Sequence, residues 1–353
     1  MANVRWTLAF MVLNAHVQAQ TQAKGDLSIG LAGDIMLGRL VNQVITQKKD
    51  YNYPWGDVLP LLKDHDLNLI NLETTLTDST QTVPKVFNFK ATPDKVACLT
   101  GANIHVVTIA NNHILDFSVS GLLETLDVLD KAAIARVGAG RTLEEARKPI
   151  ILSRRGVRVG IIGMTDNEPS WLARDELPGT NYISVGDLKS LEAQILAARK
   201  DSDILILSIH WGPNMRERPT KGFQEFARKA IDLGVDIFHG HSAHIFQGLE
   251  IYKNKLILYD TGDFVDDYYV TPALRNDRSF LFRVTVRGKQ LKDVTLFPVL
   301  ISESQVNLAK GEDFRWTVER MKSLSEGWGT SFTDIKEGLL LNLSKPRKSP
   351  PPR

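Results

Sequence analysis

Residues 204–210 read Ile-Leu-Ile-Leu-Ser-Ile-His, a run typical of a β-strand that is buried on both of its faces. Such strands occur in sheets on which helices pack, so the run favours an α/β fold. The histidine ends the run, and we expect it to lie at the edge of the sheet and not in the core. This stretch therefore predicts a fold class and a polar group at a strand end.

The same arrangement occurs four more times along the chain. Apolar β-like runs cover residues 27–31, 67–72, 105–109 and 235–238. Each is followed within a few residues by groups that can bind a metal ion or move a proton, namely Asp34, Glu73, Asn112, His113, His241 and His244. In an open α/β sheet the carboxyl ends of the strands face one crevice, so we expect these side chains to converge there.

Helices alternate with the strands up to about residue 248, after which consecutive strands follow. Helical periodicity predicts helices over residues 40–47, 119–131, 185–200 and 222–233. Alternating and apolar runs predict strands over residues 249–252, 256–260, 280–286 and 294–299. The segment Lys253-Asn254-Lys255 is interpreted as the hairpin turn between the first two of these strands.

Composition indicates an enzyme-sized globular chain and argues against one class of partner. The 353 residues, 43% of them hydrophobic, are enough to bury a substantial core. A formal net charge of +2 is too close to neutral for binding nucleic acid through bulk electrostatics. The single cysteine, Cys98, permits no internal disulfide, and we interpret it as buried packing.

The two ends of the chain carry signals about location. Residues 1–25 have the character of a secretory signal peptide and linker, because Arg5 precedes an apolar stretch and residues 17–19 offer small residues for cleavage. This predicts an extracytoplasmic protein; an ordered helix or an uncleaved extension would instead be compatible with a cytoplasmic one. Residues 301–343 are predicted to form a helical extension, and residues 344–353 a disordered basic tail.

Each candidate ligand also has an ordinary structural explanation. Asp34 offers a hard oxygen ligand, although Gly-Asp is common in turns. Glu73 could bridge two cations or could be a helix N-terminal charge. The histidines at 239, 241 and 244 form a cluster that favours metal binding, and backbone carbonyls are the alternative partners. For His16, His65 and His105 the structural explanation is preferred.

One turn combines three kinds of chemistry. Asn112 supplies an amide oxygen for a metal, His113 an imidazole for acid or base work, and Asp116 a carboxylate that could orient that imidazole.

Taken in order, these motifs resemble those of the capsule synthesis protein CapA family, also called the poly-gamma-glutamate synthesis or PGA-cap family. The resemblance covers roughly residues 26 to 300 and is carried by seven segments: residues 33–39, 71–73, 110–116, 138–146, 210–212, 240–247 and 262–264. That family is similar to the calcineurin-like metallophosphoesterases. The resemblance implies a four-layer α/β/β/α sandwich of the metallophosphoesterase type, with a crevice that holds two divalent metal ions.

The resemblance also implies a role for each site residue. Asp34 looks like the first metal ligand and Glu73 like the carboxylate that bridges both metals. The further ligands are Asn112, His210, His241 and His244. His113 looks like the general acid, with Asp116 as its partner. Arg39 would neutralise an anionic substrate group. The mixed oxygen and nitrogen ligands suit Mn²⁺, Fe or Zn²⁺.

Two function classes follow from this resemblance. The first is a metal-dependent hydrolase acting on a phosphoester or a related anionic linkage, associated with capsule or poly-gamma-glutamate synthesis. The second is a noncatalytic accessory protein that binds an anionic polymer and works with a capsule-synthesis complex at the membrane. Met36 favours the second class, because it stands where phosphoesterases usually have a histidine ligand and leaves one metal site weak or empty.

Overall fold

The computed structural model describes residues 25–343. The predicted leader and linker, residues 1–25, lie outside the described residues except for Gly25, and the predicted tail at residues 344–353 lies wholly outside them. Within the described range no helix is long and apolar enough to cross a membrane.

The first of two large sheets has ten strands. Eight of them form a continuous path in the spatial order Thr333–Ile335, Gly338–Asn342, Gln290–Ser302, Arg278–Arg287, Leu27–Ile35, Leu67–Leu72, Val106–Thr108 and Ala135–Val137. The short strand Asp263–Val265 pairs in parallel with Leu27–Ile35, and Gln305–Leu308 pairs with Gln290–Ser302. The sheet is mixed, and the strands that carry the predicted ligands are its parallel part.

The second sheet has six strands. Their spatial order is Leu249–Tyr252, Lys255–Leu258, Ile237–His241, Ile204–His210, Val157–Thr165 and Ile150–Arg154. Its four central strands are parallel and its two edge strands pair antiparallel. Two small ladders pair Thr75–Leu76 with Lys90–Ala91 and Ala139–Gly140 with Gly179–Thr180.

Helices cover the outer faces of the two sheets, and one further helix, Gly311–Ser325, packs against the core between them. The α-helices are Arg39–Lys48, Leu59–Asp64, Val96–Gly101, Ser118–Lys131, Leu143–Arg147, Leu188–Arg199, Lys221–Asp232 and Gly311–Ser325. Short 3₁₀ helices cover Tyr53–Val58, Pro93–Lys95, Pro169–Trp171 and Glu326–Trp328.

Three hydrophobic cores separate four layers. The middle core lies between the sheets and joins Leu69 of the first to Ile206 of the second. Ile70, the next residue along its strand, faces the helices on the first sheet, because successive side chains of a strand point to opposite faces. Leu205 likewise faces the helices on the second sheet. The predicted α/β/β/α sandwich is therefore confirmed, and the run at 204–209 is apolar throughout because both of its faces are covered.

The local predictions agree with the structure to within a few residues. The four helices predicted at residues 40–47, 119–131, 185–200 and 222–233 are present with shifted ends. The hairpin turn is tight: Tyr252 pairs with Lys255, and Lys253 and Asn254 both have positive φ, as a type I′ turn requires. Cys98 is fully buried, as predicted.

Residues 301–343 contain more than the helix predicted there. Helix Gly311–Ser325 buries Val318, Met321 and Leu324 against the core between the sheets. The strands on either side of this helix, Gln305–Leu308, Thr333–Ile335 and Gly338–Asn342, join the first sheet. The segment is thus integrated into the sandwich, because its apolar residues complete a core that the rest of the chain leaves open.

Candidate metal centre

The predicted site residues meet at the carboxyl ends of strands from both sheets. Asp34 lies in Leu27–Ile35, and Glu73 follows Leu67–Leu72 directly. His210 and His241 are the last residues of two neighbouring strands in the second sheet, where they pair with each other in register. All four side chains are at most 1% exposed. The crevice therefore lies between the ends of the two sheets.

Two imidazoles and one carboxylate form what we call the nitrogen-rich group. It consists of Asp34, His210 and His241, whose ligand atoms all lie within 4.8 Å of one another. Oδ1 of Asp34 is 3.6 Å from Nδ1 of His210 and 3.5 Å from Nδ1 of His241. The amide oxygen of Asn112 lies 2.9 Å from Nε2 of His210. Four of the predicted ligands are thus brought together.

Three carboxylates and one imidazole form a second cluster, the carboxylate-rich group. It consists of Asp34, Glu73, His244 and Asp263, again with ligand atoms within 4.8 Å of one another. Nδ1 of His244 lies 2.8 Å from Oδ1 of Asp263, 3.5 Å from Oδ2 of Asp34 and 3.9 Å from Oε2 of Glu73. Asp263 lies in the segment 262–264 that carries the family resemblance, but the sequence does not predict it as a ligand.

Asp34 is the carboxylate that belongs to both groups. Its Oδ1 faces His210 and His241, and its Oδ2 faces His244. The resemblance gave the bridging position to Glu73, whose Oε1 does lie 3.7 Å from Nε2 of His210. Two carboxylates therefore lie between the groups, and Asp34 makes the closer approach to both.

The backbone around Asp34 explains how its side chain is fixed. A Cβ on Gly33 would lie 1.8 Å from the carbonyl oxygen of Gly262, so only glycine allows the close approach that puts Asp34 beside Asp263. The side-chain amide of Asn71 donates to Oδ1 of Asp34 at 2.8 Å. The backbone N–H of Ser242 donates to Oδ2 at 3.1 Å.

The turn that carries His244 is strained. Ser242 has φ of 119° and His244 has φ of 60°, both in the region that L residues rarely adopt. Each such residue costs on the order of 1 to 3 kcal/mol, and strain of this kind clusters at functional sites. Here it points the His244 imidazole at the carboxylates.

Buried oxygen atoms without partners indicate that cations belong in the crevice. Among the described residues, both carboxylate oxygens of Glu73 and Oδ2 of Asp263 are buried and accept no hydrogen bond. Burial, reinforced by neighbouring carboxylates, raises the pKa of Glu73 and of Asp263 well above the usual range. Burial would also raise the pKa of Asp34, but His210, His241 and His244 lower it below its ordinary value. The residues present therefore fit divalent metal ions.

A pH dependence of stability follows for protein freed of metal by a chelator. Burial raises the pKa of Asp260 to about 8, and Glu73 and Asp263 shift in the same direction. Above about pH 7.5 the unfolded chain has lost the protons on these carboxyls and nearly all of those on its histidines, whereas the folded chain still holds protons on the raised carboxyls. Unfolding then releases protons, so we expect the melting temperature of chelated protein to fall from about pH 7.5 to 9.

Thermal melts with chelator at several pH values test this expectation. Metal-loaded protein is the control and should show a smaller fall, because cations replace the protons. A melting temperature of chelated protein that rises over this interval would contradict the assignment.

His113 and Asp116 form a hydrogen-bonded pair at the edge of the crevice. Nδ1 of His113 lies 2.5 Å from Oδ2 of Asp116, and Nε2 lies 3.8 Å from Oε1 of Glu73. Phe89 stacks on the imidazole with ring centroids 3.8 Å apart. Burial lowers the pKa of His113 to about 4 against the opposing effect of Asp116. The pair thus presents Nε2 to the crevice.

Lys85 is a residue of this site that the sequence did not reveal. Its ammonium donates to Oδ1 of Asp116 at 2.9 Å and to the carbonyl oxygen of Asn112. The backbone N–H of Phe89 donates to the other oxygen of Asp116 at 2.7 Å. One loop therefore fixes the carboxylate that orients His113. Lys85 lies in that loop and follows no strand, so the strand-end pattern gave no signal for it.

For the metal-dependent hydrolase that the family resemblance implies, we expect Lys85→Met to lower the turnover number roughly tenfold, because Asp116 would lose the cation that holds it. Lys85→Arg should restore part of the rate. Lys90→Met is the matched control, since Lys90 begins the short strand that follows this loop and donates to the carbonyl oxygen of Ser79. Steady-state kinetics with metal analysis of each variant provides the measurement, and equal rates for Lys85→Met and Lys90→Met would rule out this role.

Aromatic rings lie between Arg39 and the two ligand groups. The guanidinium of Arg39 contacts the rings of Phe87, Phe89 and Tyr268, and its Nε lies 3.4 Å from Oδ2 of Asp267. Tyr268 in turn contacts the ring of His244. Arg39 is therefore at the rim of the crevice and not among the ligands.

His16 lies outside the described residues, and the remaining described histidines and Met36 have structural surroundings. His65 bonds Asn68, and His105 accepts from the backbone N–H of Asn68. His239 lies between Ser208 and the carbonyl oxygen of Ala32. Met36 is buried in the core under the helices of the first sheet, which agrees with its exclusion from the ligands.

Comparisons with known proteins bear on this site. The model of the family described as "Bacterial capsule synthesis protein PGA_cap" matches residues 28–268. A Mycobacterium tuberculosis protein described as a probable polyglutamine synthesis accessory protein is 35% identical over 327 residues, which cover 87% of this chain and 86% of the relative. The PGA biosynthesis protein CapA of Bacillus subtilis is 28% identical over 326 residues, with 86% and 83% covered.

Similar solved structures are more distant. A 5′-nucleotidase precursor from Thermus thermophilus aligns at 15% identity with a TM-score of 0.43, covering 86% of this chain and 59% of that structure.

Proposed function

The chain belongs to the bacterial capsule synthesis protein PGA_cap family, and from this membership and the crevice we propose that it is a metal-dependent hydrolase of a phosphoester or a related anionic linkage. The observation that carries the proposal is that a His113–Asp116 pair lies beside two overlapping ligand groups, with Nε2 of His113 3.8 Å from Oε1 of Glu73. Metal-ligand groups alone would be compatible with a structural metal site or with metal storage. An imidazole held beside them supplies a means of moving a proton.

The cations proposed for this crevice are two divalent ions, Mn²⁺, Fe or Zn²⁺. Asp34, Asn112, His210 and His241 would hold one, and Asp34, Glu73 and His244 would hold the other. When bound, two such ions lower the pKa of water and stabilise the negative charge that develops on attacking and leaving oxygens.

The chain's own residues would manage the proton. Burial lowers the pKa of His113 to about 4, so its imidazole is neutral at pH 7 before substrate binds. An anionic substrate beside Nε2 would favour uptake of a proton from solvent at that nitrogen, and Asp116 at Nδ1 would stabilise the imidazolium charge. His113 would then donate its Nε2 proton to the leaving oxygen as the linkage breaks, which is the work of a general acid.

Arg39 would bind a second anionic part of the substrate. Its side chain is 34% exposed at the rim of the crevice, and a guanidinium pairs well with carboxylate or phosphate. The rings of Phe87, Phe89 and Tyr268 hold it in place.

Hydrolysis of bis(p-nitrophenyl) phosphate by protein loaded with Mn²⁺ tests the proposal. We expect release of p-nitrophenolate that disappears on chelation and returns when the metal is restored. Absence of turnover with Mn²⁺, Fe²⁺ and Zn²⁺ on a panel of phosphodiesters and phosphomonoesters would refute hydrolysis of phosphoesters.

A noncatalytic accessory role is the second candidate, and the description of the M. tuberculosis relative favours it. In this role the crevice and Arg39 would bind an anionic polymer for a capsule-synthesis complex at the membrane. Protein that shows no turnover but binds poly-gamma-glutamate, and loses that binding in Arg39→Gln, would favour this role over hydrolysis.

We further propose that the protein acts outside the cytoplasm. The proposal rests on the signal-peptide character of the first 19 residues, which predicts a mature chain that begins near Gln20. N-terminal sequencing of the native protein checks this, and an intact leader on protein in the cytoplasmic fraction would overturn it.

A further inference from the structure

The two ligand groups differ in chemistry. The nitrogen-rich group offers two imidazoles, the amide of Asn112 and one oxygen of Asp34. The carboxylate-rich group offers three carboxylates and the single imidazole of His244. Asp34 is common to both, so the contrast comes from the residues that are not shared.

We propose that the crevice holds two unlike cations: a transition metal such as Zn²⁺ bound tightly by the nitrogen-rich group, and a hard, exchangeable cation such as Mn²⁺ or Mg²⁺ bound by the carboxylate-rich group with Asp263 as a ligand. This inference rests on the cation centre of the proposed function. It adds the identity of the second site's ligands and the selectivity of each site.

The position of Asp263 in the sheet brings its carboxylate into the crevice. Its short strand runs parallel to Leu27–Ile35, and Asp263 stands directly opposite Asp34 in the register. The backbone N–H of Asp34 donates to the carbonyl oxygen of Gly262 at 2.9 Å, which locks the two strands together at this point. A carboxylate at position 263 must therefore lie beside that of Asp34.

Two side chains in this group are buried without enough partners. Glu73 is 0% exposed and neither of its oxygens accepts a hydrogen bond from the described residues. Asp263 is 1% exposed, and its Oδ2 has no partner while its Oδ1 faces His244. Buried carboxylates in such a state carry a large desolvation cost, and a bound cation would relieve it.

Met36 explains why Asp263 matters in this chain. Its side chain packs in the core beneath the helices of the first sheet, and its backbone N–H bonds the carbonyl oxygen of Val265. No imidazole therefore enters the second group from the first strand. Its ligands are instead dominated by oxygen, with Asp263 completing three carboxylates around one imidazole.

Ligand chemistry then separates the two sites. Imidazole nitrogen suits Zn²⁺, Fe and other transition metals, whereas carboxylate oxygen suits Mg²⁺, Ca²⁺ and Mn²⁺. Mn²⁺ and Mg²⁺ lie at the weak end of the affinity order for divalent ions, so the ion in the carboxylate-rich group should exchange more readily.

The test measures metal content and not turnover. Wild-type protein is stripped and loaded with one equivalent of Zn²⁺ and then with excess Mn²⁺, because Zn²⁺ outcompetes Mn²⁺ at any one site. It is passed through a desalting column and analysed for both elements, with electron paramagnetic resonance reporting bound Mn²⁺. We expect one equivalent of Zn²⁺ that survives dialysis against excess Mg²⁺ and one of Mn²⁺ that Mg²⁺ displaces. Zn²⁺ that Mg²⁺ displaces, or Mn²⁺ that it cannot displace, would overturn the proposal without any variant.

The variant Asp263→Asn tests whether the carboxylate of Asp263 is a metal ligand. It keeps the size of the side chain, and we expect the Zn²⁺ equivalent to persist while Mn²⁺ affinity falls at least tenfold. Asp166→Asn is the matched control, because Asp166 lies beside His210 and accepts from the backbone N–H of Gly212 but belongs to neither group. Unchanged Mn²⁺ binding in Asp263→Asn would overturn the role of Asp263.

These results are independent of the proposed hydrolysis. If the metals bind as described and no phosphoester is cleaved, the proposed function fails and the inference stands. If turnover is found with two identical ions, the inference fails and the proposed function stands.

Discussion

His113→Asn is expected to lower the turnover number by about a hundredfold or more, which is the usual contribution of a general acid. The variant removes Nε2, the atom that lies 3.8 Å from Oε1 of Glu73, but leaves both ligand groups in place. Metal content and melting temperature should therefore stay close to those of wild type. Asp116→Asn should cause a smaller loss, because it weakens the partner of the imidazole and not the imidazole itself.

His105→Asn provides the control for this measurement. His105 immediately precedes strand Val106–Thr108, whereas His113 follows the opposite end of that strand, and His105 accepts a hydrogen bond from the backbone N–H of Asn68. Its turnover should match wild type. If wild-type protein hydrolyses phosphodiesters and His113→Asn retains the full rate, then another group donates the proton.

Asp34→Asn should have the largest effect on the metals. Because Asp34 is the one residue common to both groups, its replacement weakens both sites, and we expect metal affinity to fall at least about a hundredfold at each. Turnover should fall with it. Asp263→Asn should weaken only one site, so the two variants together distinguish a shared ligand from an unshared one. If elemental analysis finds two full equivalents of metal in Asp34→Asn, Asp34 is not a ligand that both metal sites share.

Strand ends could be predicted from the sequence because burial on both faces leaves a clear apolar signature. The runs before Asp34, Glu73, His210 and His241 are all strands of the large sheets, and their polar ends do meet. The sequence could not show that these strands belong to two different sheets. Each run is apolar whichever sheet it joins, and only the pairing of strands in space decides this.

Other features could not be predicted, because no sequence pattern marks them. Asp263 opens a strand of three residues, too short to show periodicity, and its role depends on pairing with a strand more than two hundred residues away. Lys85 reaches Asp116 from a loop, where side-chain direction depends on tertiary contacts. The strands among residues 301–343 were missed because short segments next to a strong helical pattern give weak signals.

The measurement that tests the central claim most directly is the metal content of the purified protein after reconstitution with divalent ions. The buried, unpartnered carboxylates of Glu73 and Asp263 and the two overlapping groups predict two equivalents per chain, with chelation lowering the melting temperature. Less than one equivalent of any divalent metal under these conditions would show that the crevice is not a metal centre.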